Sequence, residues 1–312
     1  MTVSDTDDRD DVVDAAASVD ASPRARRASR RLRHALRRSP SLTVGATVLL
    51  ALAVIAILAP VLAPYSPTAL SPLDAFEAPS LQHLFGTDEL GRDIFSRSLF
   101  GARVSLLTGL LATVGAATIG VWLGLLSGYF GRAVDAVIMR TIDIQIAVPS
   151  ILMAMIIIAI VGRGFISSVI AVGIASIPAF ARIVRASTMA VKEEEYVTAV
   201  EALGAGHAYT MFRTILPNVM GPIIVQMVVT AAVAILLEAA LSFLGLGTQP
   251  PTPTWGDMLR QGKGFLNDAP WYAVMPGVLL TATVVALDLM GRGLQSLRGS
   301  SASGQLDLEA RL

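Results

Sequence analysis

The sequence predicts an all-α integral membrane protein with six transmembrane helices. Of its 312 residues, 54% are hydrophobic and 15% are charged, whereas about a quarter of the residues in a soluble domain carry a charge. The charged residues lie between long charge-free windows instead of being spread along the chain. Both observations indicate that lipid surrounds most of the protein.

Six apolar windows are long enough for transmembrane helices, because crossing about 30 Å of hydrocarbon takes roughly 20 helical residues. The predicted spans are residues 42–63, 104–131, 144–162, 164–181, about 219–241 and about 269–287. The third and fourth windows are the shortest, and the tight connection Gly162-Arg163-Gly164 joins them.

The ends of the chain are predicted to lie outside the membrane. Residues 1–20 contain seven aspartates and residues 21–40 contain eight arginines, and neither stretch has enough apolar surface to fold alone. We expect a disordered N-terminal tail over 1–40, the first transmembrane helix and an outer loop over 41–103, a core transmembrane domain over 104–298 and a tail over 299–312. The first apolar window lacks an A-x-A cleavage pattern, so it is a retained helix and not a signal peptide.

The distribution of lysine and arginine predicts the orientation. With the N-terminus inside, the inner segments hold 18 basic residues and the outer segments hold 6. The inner side still leads by nine to six when the N-terminal tail is left out. We therefore expect a multi-pass protein of the cell (inner) membrane with both termini in the cytoplasm.

Metal and thiol chemistry have no support in the sequence. The chain has no cysteine, which excludes disulfides, thiolate metal sites and thiol nucleophiles. His34, His83 and His207 are scattered without ligand-like neighbours. They are interpreted as surface or loop residues, and neither a metal site nor a catalytic residue is predicted.

Small residues and prolines suggest close packing and flexibility among the spans. Gly120, Gly124 and Gly128 recur at one-turn spacing in the second span, and such a stripe lets two helix backbones approach closely in lipid. Prolines kink membrane helices and free carbonyl groups. They interrupt four of the predicted spans, at Pro149, Pro178, Pro222 and Pro276.

The longest inner loop, residues 182–218, has a pattern unlike the rest of the chain. Tyr196, Val200 and Leu203 recur at i, i+4, i+7, which predicts a short helix with an apolar stripe. Three glutamates, residues 193–195, fall in its first turn, where negative charge complements the helix dipole. Gly204 and Gly206 can end this helix in a left-handed conformation.

The same loop continues with Gly206 and a second predicted helix over 207–214, which should stop near Leu216-Pro217-Asn218. A helix–glycine–helix elbow with an apolar stripe on the cytoplasmic side suits docking into another protein. The alternative is a helix lying on the membrane surface. Its glutamates argue against that alternative, because anionic lipid repels them.

The elbow resembles the EAA loop of membrane subunits of ABC importers, in which E-A-A, three further residues and a glycine precede Leu-Pro. Gly204 and Pro217 have the family's spacing of thirteen, with Leu216 in place. Thr198-Ala199-Val200 stands where E-A-A would be. The resemblance implies a cytoplasmic coupling helix that contacts an ATPase subunit.

Two further stretches resemble the dipeptide/oligopeptide/nickel group of these importers. One is GTDELGRD over residues 86–93, and the other is LSFLGLG over residues 241–247, followed by QPP and WGDML. Together with the elbow they cover about residues 40–298. The chain is most similar to the C-type permease subunits of peptide importers, which implies the type I ABC importer permease fold with cytoplasmic coupling helices.

The resemblance implies the partners and the contact residues. The partners are a homologous B-type permease, one or two ABC ATPase subunits, an extracytoplasmic substrate-binding protein and membrane lipid, with no nucleic acid. No G-x-x-x-x-G-K-[ST] motif occurs in the chain, so we expect a transport subunit that is not an enzyme and binds no cofactor, with ATP and magnesium held by its partners. The implied ATPase contacts are Glu195, Tyr196, Ala199, Val200, Ala202, Leu203, Gly204, Leu216 and Pro217.

Two residues at membrane depth are candidates for the substrate path. Glu238 lies in the fifth predicted span, where an ionisable group is costly and marks a pathway or a pairing site. It either faces the channel and attracts a peptide amino terminus, or pairs locally. Met153 is the second candidate, although methionines in such spans more often serve packing.

The function predicted from these observations is that of a permease subunit of an ATP-driven peptide importer. The alternative is a secondary transporter driven by an ion gradient, which would show inverted repeats with paired broken helices. No convincing internal repeat is present. A purely structural scaffold would leave the prolines and Glu238 unexplained. Dipeptides, longer peptides and nickel chelates all stay open as substrates.

Overall fold

The computed structural model describes residues 39–309, with side chains described to residue 297. The predicted N-terminal tail, apart from its last two residues, and His34 lie outside the described residues. The helices are α1 (Pro40–Leu62), α2 (Ile94–Phe130), α3 (Arg132–Ala147), α4 (Ser150–Val161), α5 (Phe165–Lys192), α6 (Glu195–Ala202), α7 (His207–Phe243), α8 (Trp255–Gly262) and α9 (Trp271–Glu309). The all-α prediction is confirmed.

Five helices are long and apolar enough to cross a membrane: α1, α2, α5, α7 and α9 over Trp271–Leu297. They confirm the first, second, fourth, fifth and sixth predicted spans, although α2 and α7 begin earlier than their charge-free windows. The extra turns contain charged residues, Arg97 in α2 and Arg213 in α7, which the charge-free windows exclude.

The third predicted span, residues 144–162, is not one straight helix. The chain forms α3 and α4, which meet at an angle of 91°. Pro149 stands at the break, and Val148 before it is extended, at φ −93° and ψ 125°, because a proline ring disfavours helical geometry in the preceding residue. At 1.5 Å per residue, the 12 residues of α4 are too few to cross the hydrocarbon alone.

The most extensive helix contact joins α2 to α5, and the predicted glycine stripe lies in it. A Cβ built at Gly124 would lie 2.7 Å from the carbonyl oxygen of Ala181, and one at Gly120 would lie 2.5 Å from the Cβ of Phe180. The two backbones are therefore in direct contact, which explains why these positions have no side chain.

The peripheral helix α1 is attached mainly to α9. A Cβ at Gly45 would lie 2.5 Å from the carbonyl oxygen of Ala286, and one at Gly293 would lie 2.6 Å from the Cβ of Leu42. The central helix α7 packs against α2, α5 and α9. The bundle thus has α2, α5 and α7 at its centre and α1 at its edge.

The motif at residues 86–93 closes a loop lobe (residues 63–93) onto the start of α2. Asp93 caps α2 by accepting the backbone N–H of Ser96 at 2.7 Å. His83 is buried, contrary to the surface interpretation, and its Nδ1 lies 2.9 Å from a carboxylate oxygen of Asp93. The carboxylate of Asp88 accepts a hydrogen bond of 2.6 Å from the Nε–H of Arg92. The acidic and basic residues of the motif therefore fix the lobe structurally.

Candidate functional site: a helical elbow

The elbow, residues 193–209, connects the end of α5 to the start of α7. Its first helix, α6, ends in a Schellman motif, in which the last carbonyl groups are capped by the turn that follows. The N–H of Gly204 donates to the carbonyl of Glu201 at 2.9 Å, and the N–H of Ala205 donates to the carbonyl of Val200 at 3.3 Å. Gly204 has φ +84°, the left-handed conformation predicted from the sequence. The same prediction for Gly206 is wrong, because its φ is −71°.

The prediction that the second helix of the elbow stops near residue 216 is wrong. The helix that starts at His207 continues to Phe243. Pro217 has no N–H to donate, but a π-helical turn over Thr210–Ile215 precedes it and changes the hydrogen-bond partners there. The side-chain amide of Asn218 donates to the carbonyl of Thr214 at 2.7 Å. Pro217 is tolerated because it lies in the first turn of the regular α-helical segment that follows the π-helical turn.

One side chain of α6 points inward and holds the helix to the bundle. Val197 is fully buried, in a cluster with Leu125 of α2, Val184 of α5 and Met211 and Ile215 of α7. The apolar stripe predicted from the sequence contained Tyr196 and Val200, and it did not identify Val197 as the buried residue. The elbow is therefore anchored on three membrane helices through one apolar residue.

The opposite face of α6 is apolar and exposed. Leu203 is 88% exposed and Tyr196 is 43% exposed, while Ala199 and Ala202 are also exposed and Val200 is half-buried. Partial burial, together with the Glu194 carboxylate, raises the pKa of Tyr196. The hydroxyl of a tyrosine is neutral near pH 7 and can donate a hydrogen bond to a partner.

A tyrosine at the end of α2 bridges the two helices of the elbow. The hydroxyl of Tyr129 lies 3.0 Å from Oε1 of Glu201 and 2.8 Å from Nδ1 of His207. A phenol has one proton, so when it donates to Glu201 it accepts from the N–H of His207. Lys192 donates to the backbone carbonyl of Tyr129 at 2.6 Å. The turn around Gly204 is thus closed by hydrogen bonds that the sequence analysis missed, since residue 129 lies far away in the chain.

The remaining predicted contact residues divide by exposure. Glu195 is exposed in the first turn of α6, beside two further exposed glutamates, and Pro217 is exposed on α7. Leu216 is half-buried and packs against the cluster that holds Val197. The exposed apolar face is therefore bordered by negative charge at the start of α6.

The two predicted path residues lie in different environments. Glu238 is fully buried, where it accepts the hydroxyl of Ser242 at 2.7 Å and that of Ser105, on α2, at 3.2 Å. This geometry favours the local-pairing interpretation, because both carboxylate oxygens have partners inside the chain. Met153 lines a cavity and is half-buried.

The cavity beside Met153 lies at the break between α3 and α4 and has a volume of about 340 Å³. Pro178 of α5 has no N–H, so the carbonyl of Ile174 lacks its helical hydrogen bond. The side-chain amide of Gln145 donates to that carbonyl instead, at 2.5 Å. Arg182 also lines the cavity. A partly polar cavity therefore lies between the broken span and α5.

Comparison with known proteins places this geometry in a family. Residues 120–297 match the model of the binding-protein-dependent transport system inner membrane component, and residues 28–79 match the N-terminal transmembrane domain of oligopeptide transport permease C. The first match contains α3 to α7 with the elbow, and also α8 and most of α9.

Two curated relatives show similarity over most of their length. The dipeptide transport system permease protein of Alkalihalophilus pseudofirmus is 42% identical, over 83% of this chain and 86% of that protein. The glutathione transport system permease protein of Pectobacterium atrosepticum is 42% identical, over 84% of this chain and 87% of that protein.

One solved structure shows the same fold. A chain of the MetNI methionine ABC transporter, in an inward-facing conformation, aligns with a TM-score of 0.53 at 17% identity, over 65% of this chain and 95% of that one. The family model, the relatives and the shared fold agree: the chain belongs to the family of binding-protein-dependent transport system inner membrane components.

Proposed function

We propose that this chain is the membrane permease subunit of an ATP-driven peptide importer, and that the elbow docks into a separate ATPase subunit. The observation that carries the proposal is the exposed apolar face of α6 at Tyr196 and Leu203. Val197 and Tyr129 hold that face rigidly from the inside. Large exposed apolar groups on an ordered scaffold are typical of protein–protein contacts.

The assembly we propose follows from the family. A homologous B-type permease completes the pathway, one or two ATPase subunits bind the elbows, and a binding protein delivers substrate on the outer side. The excess of basic residues on the elbow side supports a cytoplasmic location for the elbow and for both termini. Relatives named for dipeptide and for glutathione transport support a small peptide as substrate.

The structure suggests how motion of the ATPase subunits reaches the membrane helices. The elbow is covalently joined to α5 and α7 and hydrogen-bonded to the end of α2. A shift of the docked elbow therefore displaces the three central helices together. Substrate biases the inward- and outward-facing states only through its different affinity for each of them.

Two substitutions in the elbow test the docking surface. Leu203→Asp puts a charge in the centre of the contact, and leaving it unpaired there costs several kcal/mol. Gly204→Val places a β-branched residue at φ +84°. A Cβ at residue 204 meets nothing within 4 Å, so the cost is backbone strain of roughly 1–2 kcal/mol and not a clash.

We expect both variants to insert into the membrane and to lose the ATPase subunits, or peptide-stimulated ATP hydrolysis, when the complex is purified and reconstituted. Gly204→Asn is the matched control, because asparagine tolerates the left-handed conformation. Leu73→Asp, at an exposed leucine in the loop lobe, should keep the ATPase subunits bound. Full stimulation of ATP hydrolysis in Leu203→Asp and Gly204→Val would place the coupling surface elsewhere.

A transport assay separates this function from the ion-gradient alternative. Vesicles that contain the complete complex should take up peptide when ATP is supplied inside the cytoplasmic compartment and all ion gradients are clamped at zero. Uptake that follows an imposed ion gradient without ATP would overturn the proposal.

A further inference from the structure

The guanidinium of Arg103 is exposed at the boundary of the second span. It is the last charged residue of α2 before the charge-free window that begins at Val104, so it lies where hydrocarbon gives way to headgroups. Within residues 39–297 it makes no hydrogen bond and no ion pair, whereas Arg97, two turns earlier, is buried near Asp88. A cation at this depth without a protein partner has room for an external anion.

Two apolar grooves meet at Arg103. The first lies between α1 and α2 and has a volume of about 360 Å³. Apart from the arginine it is lined by Ala53, Ala56, Ile57, Leu106, Leu107 and Leu110. From residue 103 to residue 110 the groove follows α2 for about 10 Å, at 1.5 Å per residue.

The second groove shares Arg103 and Leu107 with the first. Its volume is about 340 Å³, and its apolar walls include Phe100, Phe165 and Pro253. Arg103 and Leu107 therefore line both apolar grooves. The spacing suits a molecule with one anionic group and two hydrocarbon chains.

We propose that Arg103 and these two grooves form a binding site for a membrane glycerophospholipid. The guanidinium binds the phosphodiester, for which its planar set of N–H donors is well matched. The acyl chains lie in the two grooves. Because lipid tails gain little by moving from bilayer to an apolar protein surface, the phosphate contact supplies the selectivity and the grooves supply the orientation.

A peptide fits this site less well than a lipid. The carboxylate of a peptide could meet Arg103, but its backbone amides would then lie in the grooves. The first groove has no polar side chain except the arginine, and the second has Thr248 and Thr252. In the first groove, amide groups buried without hydrogen-bond partners would cost several kcal/mol, so its walls select hydrocarbon.

Native mass spectrometry of the purified complex tests the proposal, with dioleoylphosphatidylglycerol titrated in detergent. The loss of one charged hydrogen-bonding partner should weaken retention of the lipid in Arg103→Gln by about tenfold. Arg103→Lys, which keeps the charge and loses the planar donor set, should retain lipid to an intermediate degree. Leu107→Asn, which leaves the cation and alters a wall of both grooves, should also weaken retention. Arg140→Gln is the matched control, because Arg140 is exposed, has no partner among the described residues and lines neither groove.

Three results would overturn the proposal. The first is equal lipid retention by Arg103→Gln and the unaltered complex, with thermal unfolding confirming that both are folded. The second is binding of inorganic phosphate or glycerol 3-phosphate as tight as that of the lipid, which would indicate an anion site without a role for the grooves. The third is a photoreactive residue at Leu110 that crosslinks in membranes to a partner permease and not to lipid, which would make the groove a subunit interface.

Discussion

Removal of a single hydroxyl group should loosen the elbow without altering the bundle. Tyr129→Phe keeps the ring, which is 4% exposed and packs in the cluster with Val197. It removes the hydrogen bonds to Glu201 and His207, at 3.0 Å and 2.8 Å. These two bonds join the end of α6 to the start of α7 across the turn at Gly204.

The size of the effect follows from the environment of the two bonds. A hydrogen bond to a neutral group contributes about 0.5–1.5 kcal/mol and one to a charged group about 1.5–3 kcal/mol. Glu201 and His207 are themselves exposed, so water replaces part of each bond once the hydroxyl is gone. We therefore expect the free energy of local opening of the elbow to fall by about 1–2 kcal/mol, a factor of roughly 5–30 in the open population.

Hydrogen–deuterium exchange of the purified chain measures this opening directly. Amides of residues 195–209 should exchange roughly 5–30 times faster in Tyr129→Phe, in line with the change in open population, while those in the centre of α2 and α5 stay unchanged. Tyr209→Phe is the matched control, because Tyr209 is 58% exposed and its hydroxyl has no partner in the described part of the chain. Unchanged exchange in Tyr129→Phe, or an equal change in Tyr209→Phe, would refute the bridging role of this hydroxyl.

Three other perturbations test the bundle, the buried acid and the topology. Gly124→Val should destabilise the chain by at least about 1–3 kcal/mol through overpacking in thermal unfolding, whereas Gly115→Val, where a Cβ meets nothing within 4 Å, should not; equal melting of the two would contradict the close contact. Glu238→Gln should lower the free energy of unfolding by about 1–2 kcal/mol, because its hydrogen bonds are weakened. Uptake should still depend on a free amino group in the peptide. Loss of uptake at full stability would instead support a role of Glu238 in the substrate path. Single cysteines at Leu81 and Leu203, which are 98% and 88% exposed, should be labelled by an impermeant maleimide from opposite sides of the membrane when the chain is produced without its ATPase subunits, which would cover Leu203, and labelling of both from outside would refute the orientation.

The features predictable from the sequence are those set by local composition. Charge-free length identified five spans, and the glycine spacing in α2 identified its contact face, because both depend on residues a few positions apart. The left-handed conformation of Gly204 was also predictable, since few other residues adopt it. In each case the determining residues are close together in the chain.

The features that were missed depend on contacts between distant residues. The bridge from Tyr129 to His207 joins positions far apart in the chain, and no periodicity reports it. Pro149 marked an interruption of the third span, but the 91° angle between α3 and α4 was missed because the apolar composition continues on both sides of the proline, so the hydropathy of the window is that of one span. The burial of Glu238 was undecided because its second partner, Ser105, lies on another helix.

The glycine contact between α2 and α5 has a mechanical consequence. Where backbone touches backbone, two helices cannot slide or rotate against each other without a clash, because no side chain can change rotamer to make room. The 37 residues of α2 extend from Ile94, next to the lobe-closing Asp93, to Phe130, next to Tyr129 at the elbow, a length of roughly 55 Å at 1.5 Å per residue. The pair therefore transmits motion as a rigid unit between the two membrane surfaces. The bundle can bend beside it, at the break between α3 and α4.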